Sequence, residues 1–477
     1  MREKRREEKR RIQKLHIKLM LTPKDIEFII NHEGTDTSKL LLGASKYPDV
    51  NVKLCVNCIE SRQKIKSKLP QWYSNPALAY PFPLSAEQCS SEATGGYKRE
   101  VMQEIVANYK REDASREISG ADLTGGMGVD SWFLSQVCGG SHNDCESLSE
   151  NDNGSQVNFH YFERNAELCE AANYNFNKLG ANNISVHNIE IGHDNITQLP
   201  QAPYDFIFID PARRSKADKS SKVISLQDYE PNLIELKGQL FSQTPVIMAK
   251  VSPMADIKLN LKLLPETTEV HIVSVDNECK ELLFILANRD DSRIATNKPQ
   301  NGDCNEPEIN GEGENGTLGE CVIIKTVNIK PRQNGRECFS FTFDQEERAT
   351  VKYANKVGNF LYEPNKSILK AGAFKLVSER FNAPKLAPST HLYTSDALIE
   401  EFPGKIYLVE ECIPFSKKRI KEVASKYPKA DLTARNFPLD TNAVKKLSGI
   451  KDGGEKHIFA TTLNSGEKII IIASLRK

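Results

Sequence analysis

Between Ile118 and about Ala287 the apolar positions alternate between two periods. ISGADL reads as a short strand, VDSWFLSQV as a helix, VNFHYF as a strand, and NAELCEAANYNFNKL as a helix stopped by Gly180. NISVHN, YDFIFID, PVIMAKV, VHIVSV and ELLFILA follow as apolar, β-branched strands. This alternation predicts a parallel sheet covered on both faces. Only DNECK separates the last two strands, too little for a crossover helix, so they should form an antiparallel hairpin at one edge.

Upstream, from Thr22 to about Lys68, the spacing in IEFIINH, LLLGASK and NVKLCVNCIESRQKI predicts short helices, and QWYSNPALAYPFPL reads as a Pro-rich aromatic linker packed on another element. Downstream, CVIIKTVNIK and CFSFTF resume strand patterns, and KSILKAGAFKLVSERF reads as one helix. From about Phe402 a compact α+β unit is expected: strand IYLVEE, helix KKRIKEVASKY, strand DLTAR, helix TNAVKKLSG, and strands HIFATTL and KIIIIASL. Two polar inserts, Gly139 to Gln156 and Asp290 to Glu320, are rich in Gly, Asn, Ser and acids and read as surface loops or disorder. No internal repeat is visible.

The 477 residues exceed what one core usually serves, at about 150 residues per domain. No stretch approaches the roughly 18 apolar residues of a membrane span. The charged start MREKRREEKRRIQKLHIKLM is unlike a secretory signal, so a cytoplasmic protein is expected. Eleven scattered cysteines fit reduced thiols better than a disulfide framework. Formal charge is zero, from 64 Lys/Arg and 64 Asp/Glu, but it is segregated. Met1 to Leu19 carries nine bases and three acids, and Pro414 to Lys446 the same, whereas the two inserts are net acidic. Residues 1–19 fit a solvated helix, an extension ahead of Met20, or a basic arm.

Candidate chemistry collects at three strand ends. The first strand runs into Asp122-Leu123-Thr124-Gly125-Gly126-Met127-Gly128 before a helix, a turn where glycines admit a ligand to the backbone and the helix start offers N–H groups. A dinucleotide fingerprint would need a third glycine, but Ser131 stands there. The second strand ends in Glu163, suited to accept both hydroxyls of a ribose or to cap the next helix. It lies 41 positions after Asp122, and excising the 18-residue insert leaves 23, near the expected spacing of about 20. The fourth strand ends in Asp210-Pro211-Ala212-Arg213-Arg214, a carboxylate at the edge where open α/β sheets bind ligands. Cys55-Val56-Asn57-Cys58 has zinc spacing without a second pair, so burial is the favoured reading and no metal is expected. Trp72, Tyr73 and Tyr80 read as packed aromatics.

Together these strand ends resemble the class I S-adenosylmethionine-dependent methyltransferases. Several segments narrow the resemblance: PLSAEQCSSEATGGYK, DLTGGMGVDS, DPARR, KVSPMADI and NECKELL, then FLYEPN, KAGAF, HLYTS, FPGK and RNFP. They are similar to a bacterial family of such enzymes that also carries a ferredoxin-like domain and a C-terminal THUMP-like domain. The resemblance implies an α/β, Rossmann-like fold with a seven-stranded, mostly parallel sheet ending in an antiparallel edge hairpin, an N-terminal helical region and α+β C-terminal domains. The expected divisions are a basic extension 1–19, a helical region and cap segment 20–110, the methyltransferase domain 111–288, the ferredoxin-like domain 289–398 and the THUMP-like domain 399–477. Gly95 stands where the resemblance leads us to expect Ala.

The resemblance also implies S-adenosylmethionine as cofactor. Asp122, Thr124, Gly125, Gly126, Met127 and Gly128 would form the loop for its methionine end, and Glu163 the ribose ligand. Asn188, in a His187 to Glu190 segment that lacks the Asp of many relatives, would lie near adenine. Asp210 would be the catalytic acceptor-facing carboxylate and would also border the cofactor, with Pro211, Arg213, Arg214, Lys250 and Ser252 toward the substrate. A sulfonium methyl needs only an aligned lone pair and exclusion of water. The bases after Asp210 and in Pro414 to Lys446 suit a polyanion, and THUMP domains bind RNA, so tRNA or rRNA is the expected partner. A protein or small-molecule acceptor and a non-catalytic RNA-binding scaffold are the alternatives.

Overall fold

The computed structural model describes residues 20–108, 117–138, 157–213, 226–288 and 322–476. The basic extension, both inserts, Arg214 and the lysines that follow it to Lys222 lie outside the described residues. The chain divides into two units, residues 1–268 with 283–297, and residues 269–282 with 298–477.

Six helices lead the first unit: α1 (Pro23–Asn31), α2 (Thr37–Leu42), α3 (Val52–Ile65), α4 (Pro70–Ser74), α5 (Pro83–Gln88) and α6 (Glu92–Ala107). Thr22 and Asp25 close a capping box at the start of α1, and Ser91 with Thr94 does so for α6. The aromatic linker is packed as its composition suggests: Trp72 is buried edge-on against Trp132, ring centres 6.1 Å apart, and Tyr80 is buried with it. Cys55 and Cys58 are interior thiols. Cys55 Sγ donates to Asp25 Oδ1 at 3.5 Å, and burial pushes the Cys58 thiol up to about 12.

The sheet of this unit follows. Strands β1 (Ser119–Asp122), β2 (Asn158–Phe162), β3 (Ile184–His187) and β4 (Phe206–Ile209) are joined by helices α7 (Val129–Leu134) and α8 (Ala166–Lys178). A two-stranded ribbon, β5 (Ala212–Arg213) with β6 (Tyr229–Glu230), then leads to α9 (Leu233–Phe241), β7 (Val246–Val251) and α10 (Ile257–Leu263). The strands pair in parallel in the order β3-β2-β1-β4-β7. β1 and β4 are buried along their whole length, as central parallel strands must be when helices cover both faces. The order turns back between β1 and β4, so both carboxyl ends open onto the crevice where such sheets take ligands.

Gly95 has a physical reason to be glycine. A Cβ placed on it would lie 2.2 Å from Phe133 Cδ2, so α6 approaches α7 only because that methyl is missing. The Ala suggested by resemblance would collide with the ring.

Next, β8 (Thr267–Val275) and β9 (Glu278–Ala287) meet at a two-residue turn, Asp276 and Asn277, with φ of +48° and +63°. The hairpin expected from DNECK is present, but it is not at an edge. β10 (Ile323–Lys330) pairs in parallel with β8, and β11 (Gly335–Thr342) pairs antiparallel with β10. The sheet therefore counts nine strands rather than seven. Beyond helix α11 (Phe343–Arg348) and β12 (Phe360–Pro364), the segment read as one helix is two: α12 (Lys366–Ala371) and α13 (Phe374–Arg380), broken at Gly372 with φ +84°.

The second sheet has the order β13-β12-β14-β17-β16-β15, built from β12, β13 (Tyr393–Ser395), β14 (Gly404–Pro414), β15 (Asp431–Arg435), β16 (Lys456–Thr462) and β17 (Lys468–Leu475). Helices α14 (Lys417–Lys426) and α15 (Thr441–Ser448) cover one face, where Ile470 and Ile472 join Ile420, Val423 and Val444. Ile469 and Ile471 enter a separate cluster with Leu361, Tyr407 and Phe459. The unbroken run KIIIIASL thus marks a central strand buried on both faces. Arg435 is ion-paired with Glu363, whose side chain is 10% exposed. It leaves the basic surface counted from the sequence and serves the interior instead.

Among the described residues no helix is long and apolar enough to cross a membrane, and no cluster of three or more His, Cys, Asp or Glu is arranged to hold a metal. Seven described cysteines are free thiols. Cys138 is disulfide-bonded. This corrects the expectation of reduced thiols at that one cysteine.

Candidate functional site

The carboxyl ends of β1, β2, β4 and β7 enclose a cavity of about 360 Å³, within the range of small-molecule sites. At its floor Asp122 is almost fully buried and accepts from the backbone N–H of Thr124 at 2.9 Å and from Ser131 Oγ at 2.6 Å. Burial pushes its carboxyl up to about 7, against those hydrogen bonds. Asp122 therefore pins the loop that follows to the start of α7. Within that loop Gly126 and Gly128 have φ of +55° and +86°, the left-handed region open to glycine. Gly125 answers to space rather than to φ: a Cβ there would stand 2.1 Å from Tyr161 Cε2. Tyr161 completes the support by donating its hydroxyl to Gly126 O at 2.7 Å.

Glu163 stands just past β2 and faces the loop. Its Oε2 accepts from Gly126 N at 3.0 Å and its Oε1 from Asn165 N at 2.8 Å. Each oxygen keeps acceptor capacity for further donors. Beside it the wall is apolar, with Leu168, Ile189, Ile191 and Met127. Asn188 is placed differently from its expected role. It does not line the cavity, and its amide donates to the carbonyls of Glu163 and Arg164 at 2.9 and 3.0 Å, so it braces the turn from behind.

Across the cavity, Asp210 is tied to the glycine loop through one hydroxyl. Thr124 Oγ1 accepts from Asp210 N at 2.6 Å and donates to Asp122 Oδ1 at 3.2 Å. Asp210 Oδ2 accepts from Lys250 Nζ at 2.7 Å. Behind this pair lies Asp130, in the first turn of α7, accepting from Ser90 Oγ at 2.8 Å and ion-paired with the buried Lys98 Nζ at 3.2 Å. Burial works against the charge of Asp130, yet Lys98 and Lys250 hold its carboxyl below the usual carboxylate range.

The structure thus brings Asp122, Thr124, Gly125, Gly126, Met127, Gly128, Glu163, Asp210 and Lys250 around one cavity. Pro211 is buried between lining residues Asp210 and Ala212. Arg213 pairs through its backbone in β5. Ser252 does not line the cavity; its hydroxyl accepts from Met254 N at 3.2 Å and shapes the turn after β7. Ser90, Lys98 and Asp130 carried no role in the sequence reading, although all three lie in segments singled out there. Their readable signal was Lys98, a lone cation on the α6 face that otherwise buries Thr94, Gly95, Val101 and Met102. Lysine is rarely fully buried without a partner.

The parallel order β3-β2-β1-β4-β7, the glycine turn after β1 and the acid after β2 define a class I methyltransferase fold. Residues 360–403 match a family described as a ferredoxin-like domain, and residues 404–475 one described as THUMP domain-like. A crystal structure described as a "putative methyltransferase from Porphyromonas gingivalis W83" is similar over 95% of this chain and 98% of its own, with a TM-score of 0.73 at 29% identity. An rRNA methylase from Streptococcus thermophilus matches 39% of this chain and 94% of its own at 13% identity and a TM-score of 0.27, too distant to bear on function. No curated protein matches the sequence.

Proposed function

We propose that this chain is a cytoplasmic S-adenosylmethionine-dependent methyltransferase acting on a base of structured RNA, tRNA or rRNA. The observation that carries the reading is the cavity itself. An acid at the end of β2 faces a left-handed glycine loop on one side, and a lysine-held carboxylate stands on the other. The residues suit such a cofactor. Glu163 retains acceptor sites for ribose hydroxyls, Ile189, Ile191 and Leu168 offer an apolar wall for adenine, and the backbone around Gly126 and Gly128 admits the methionine end.

When bound, this cofactor supplies a methyl group already activated on a sulfonium. The protein's remaining tasks are to orient the acceptor lone pair and exclude water. Asp210 is the group for the first task. With Oδ2 held by Lys250, its other oxygen can accept an N–H of an amino or ring nitrogen and take up the proton released after transfer. The RNA part of the reading is supported by the THUMP-like match and by the second unit's surface. Lys417, Lys418, Arg419 and Lys421 are exposed on α14, and Lys429, Lys451 and Lys456 line a hollow beside Tyr427.

Calorimetric titration with S-adenosylmethionine, followed by transfer of a tritiated methyl to RNA from cells lacking the protein, tests both halves. Asp210→Ala is expected to keep cofactor binding and lose transfer. Cofactor binding without transfer to any RNA would favour a protein or small-molecule acceptor. A protein that never binds the cofactor would be a non-catalytic scaffold.

A further inference from the structure

Four charged side chains alternate in sign from the interior to the cavity: Lys98, Asp130, Lys250 and Asp210, with side-chain exposures of 0%, 12%, 14% and 38%. Ser90 joins them. Its hydroxyl lies 3.2 Å from Lys98 Nζ and 3.5 Å from Lys250 Nζ, and it donates to Asp130 Oδ2 at 2.8 Å. Lys250 is thus shared unequally between two carboxylates, at 2.7 Å from Asp210 Oδ2 and 3.7 Å from Asp130 Oδ2. The unequal sharing needs a cause, because Asp130 is the more buried carboxylate and should compete better for the ammonium. The cause at hand is Lys98, which meets the other oxygen of Asp130 at 3.2 Å.

We propose that Lys98 is a positioning residue of the methyl-transfer site: by neutralising Asp130 from behind, it releases Lys250 to hold Asp210. The inference rests on the methyltransferase reading above and adds a device to it. Lys98 does not line the cavity, whereas Asp130, Lys250 and Asp210 do. It therefore acts on the acceptor carboxylate through two intervening groups. Its cost explains why it is specific: a fully buried ammonium is retained only where paired, and here the pairing sets which carboxylate the next lysine chooses. The cap segment Pro83 to Lys98, singled out in the sequence, delivers both Ser90 and Lys98 to this row.

The sign pattern gives the test. In Lys98→Met, Asp130 keeps its charge with one counter-ion and draws Lys250 away from Asp210, so kcat should fall about tenfold or more, while S-adenosylmethionine affinity stays within about twofold. In Lys98→Met/Asp130→Asn the competition is gone, and kcat should recover above the single variant. A packing role for Lys98 predicts the opposite, a double variant no better than the single, and that result overturns the proposal. A second readout needs no acceptor: the ¹⁵N-lysine ammonium resonance of Lys250, assigned with Lys250→Arg, should shift in Lys98→Met and return in the double variant. An unmoved resonance also overturns the proposal. Should Lys98→Met fail to fold, Lys98→Gln takes its place: it removes the charge but keeps a polar group, the Lys250 resonance should shift there too, and an unmoved resonance overturns the proposal. Failure of the enzyme reading is separately visible, as a wild-type protein that neither binds the cofactor nor transfers its methyl.

Discussion

Asp122 places an ionisable group where its charge is costly, and Asp122→Asn isolates that cost. Asp122 is 1% exposed, and burial raises its carboxyl to about 7, against about 3.9 in an unfolded chain. A raised acid favours the folded state while both states are protonated and penalises it as the unfolded carboxyl ionises, so stability is lost as pH rises from about 4 to 7. The penalty is about 1.5 kcal/mol at pH 5 and about 4 kcal/mol at pH 8.5. Asparagine does not titrate and keeps an oxygen for Thr124 N, though its amide must donate to Ser131 Oγ instead of accepting from it. Whatever that exchange costs, it is the same at both pH values. Relative to wild type, the variant should gain roughly 2.5 kcal/mol between pH 5 and pH 8.5. The chain has only two tryptophans, Trp72 and Trp132, both in the first unit, and Trp132 directly follows Ser131. Urea unfolding followed by their fluorescence therefore reports on this unit. A variant-to-wild-type difference that does not change with pH would refute the buried, proton-holding Asp122 deduced here. Calorimetry should show weakened cofactor binding in the same variant at either pH, because the reversed bond to Ser131 Oγ alters how the loop is anchored to α7.

Gly125→Ala forces a methyl against the Tyr161 ring, and should cost about 1–3 kcal/mol and abolish S-adenosylmethionine binding by calorimetry. The buried His160 Nδ1 lies 3.0 Å from His187 Nε2, and burial, then the His187 charge, holds His160 down at about 4. Its stabilising effect is complete above about pH 6.5 and is lost as pH falls toward 4; melting curves at pH 5 and 7.5 should show a smaller acid loss in His160→Phe than in wild type. Lys429→Glu with Lys451→Glu should weaken binding of bulk tRNA or rRNA and lower the magnitude of its salt dependence by about 1–2, measured by filter binding across ionic strengths.

Local chemistry made the strand ends legible. Asp122 to Gly128, Glu163 and Asp210 announce themselves because turn, acid and Asp-Pro each leave a short-range mark, and Lys250 followed from resemblance. The alternation that predicts a parallel core holds for β1, β2, β3, β4 and β7. What was missed depends on partners distant in sequence. That β10 would pair with β8, and so bury a hairpin expected at an edge, is decided across more than 45 residues and leaves no trace in the hairpin itself. Arg435 looked like one more surface base because Glu363, 72 positions earlier, is what takes it inside. The break at Gly372 could have been read from the glycine alone. Asn188 and Ser252 sit beside the cavity in sequence but turn their polar atoms to backbone, a choice of direction that composition does not encode.

The close fit of α6 on α7 bears on how this catalytic unit can be divided. Ser85, Gln88, Cys89 and Ser90 form part of the cavity wall, and Phe133 is covered where Gly95 meets it. A gene fragment beginning near residue 111, just ahead of β1, would carry every strand of that sheet yet arrive with one wall missing and an aromatic ring bared. Grafts, truncations and recombination events that treat the sheet as a portable cassette should therefore fail unless the crossover falls ahead of α1. The unit that can be transplanted is larger than the sheet that gives it its class.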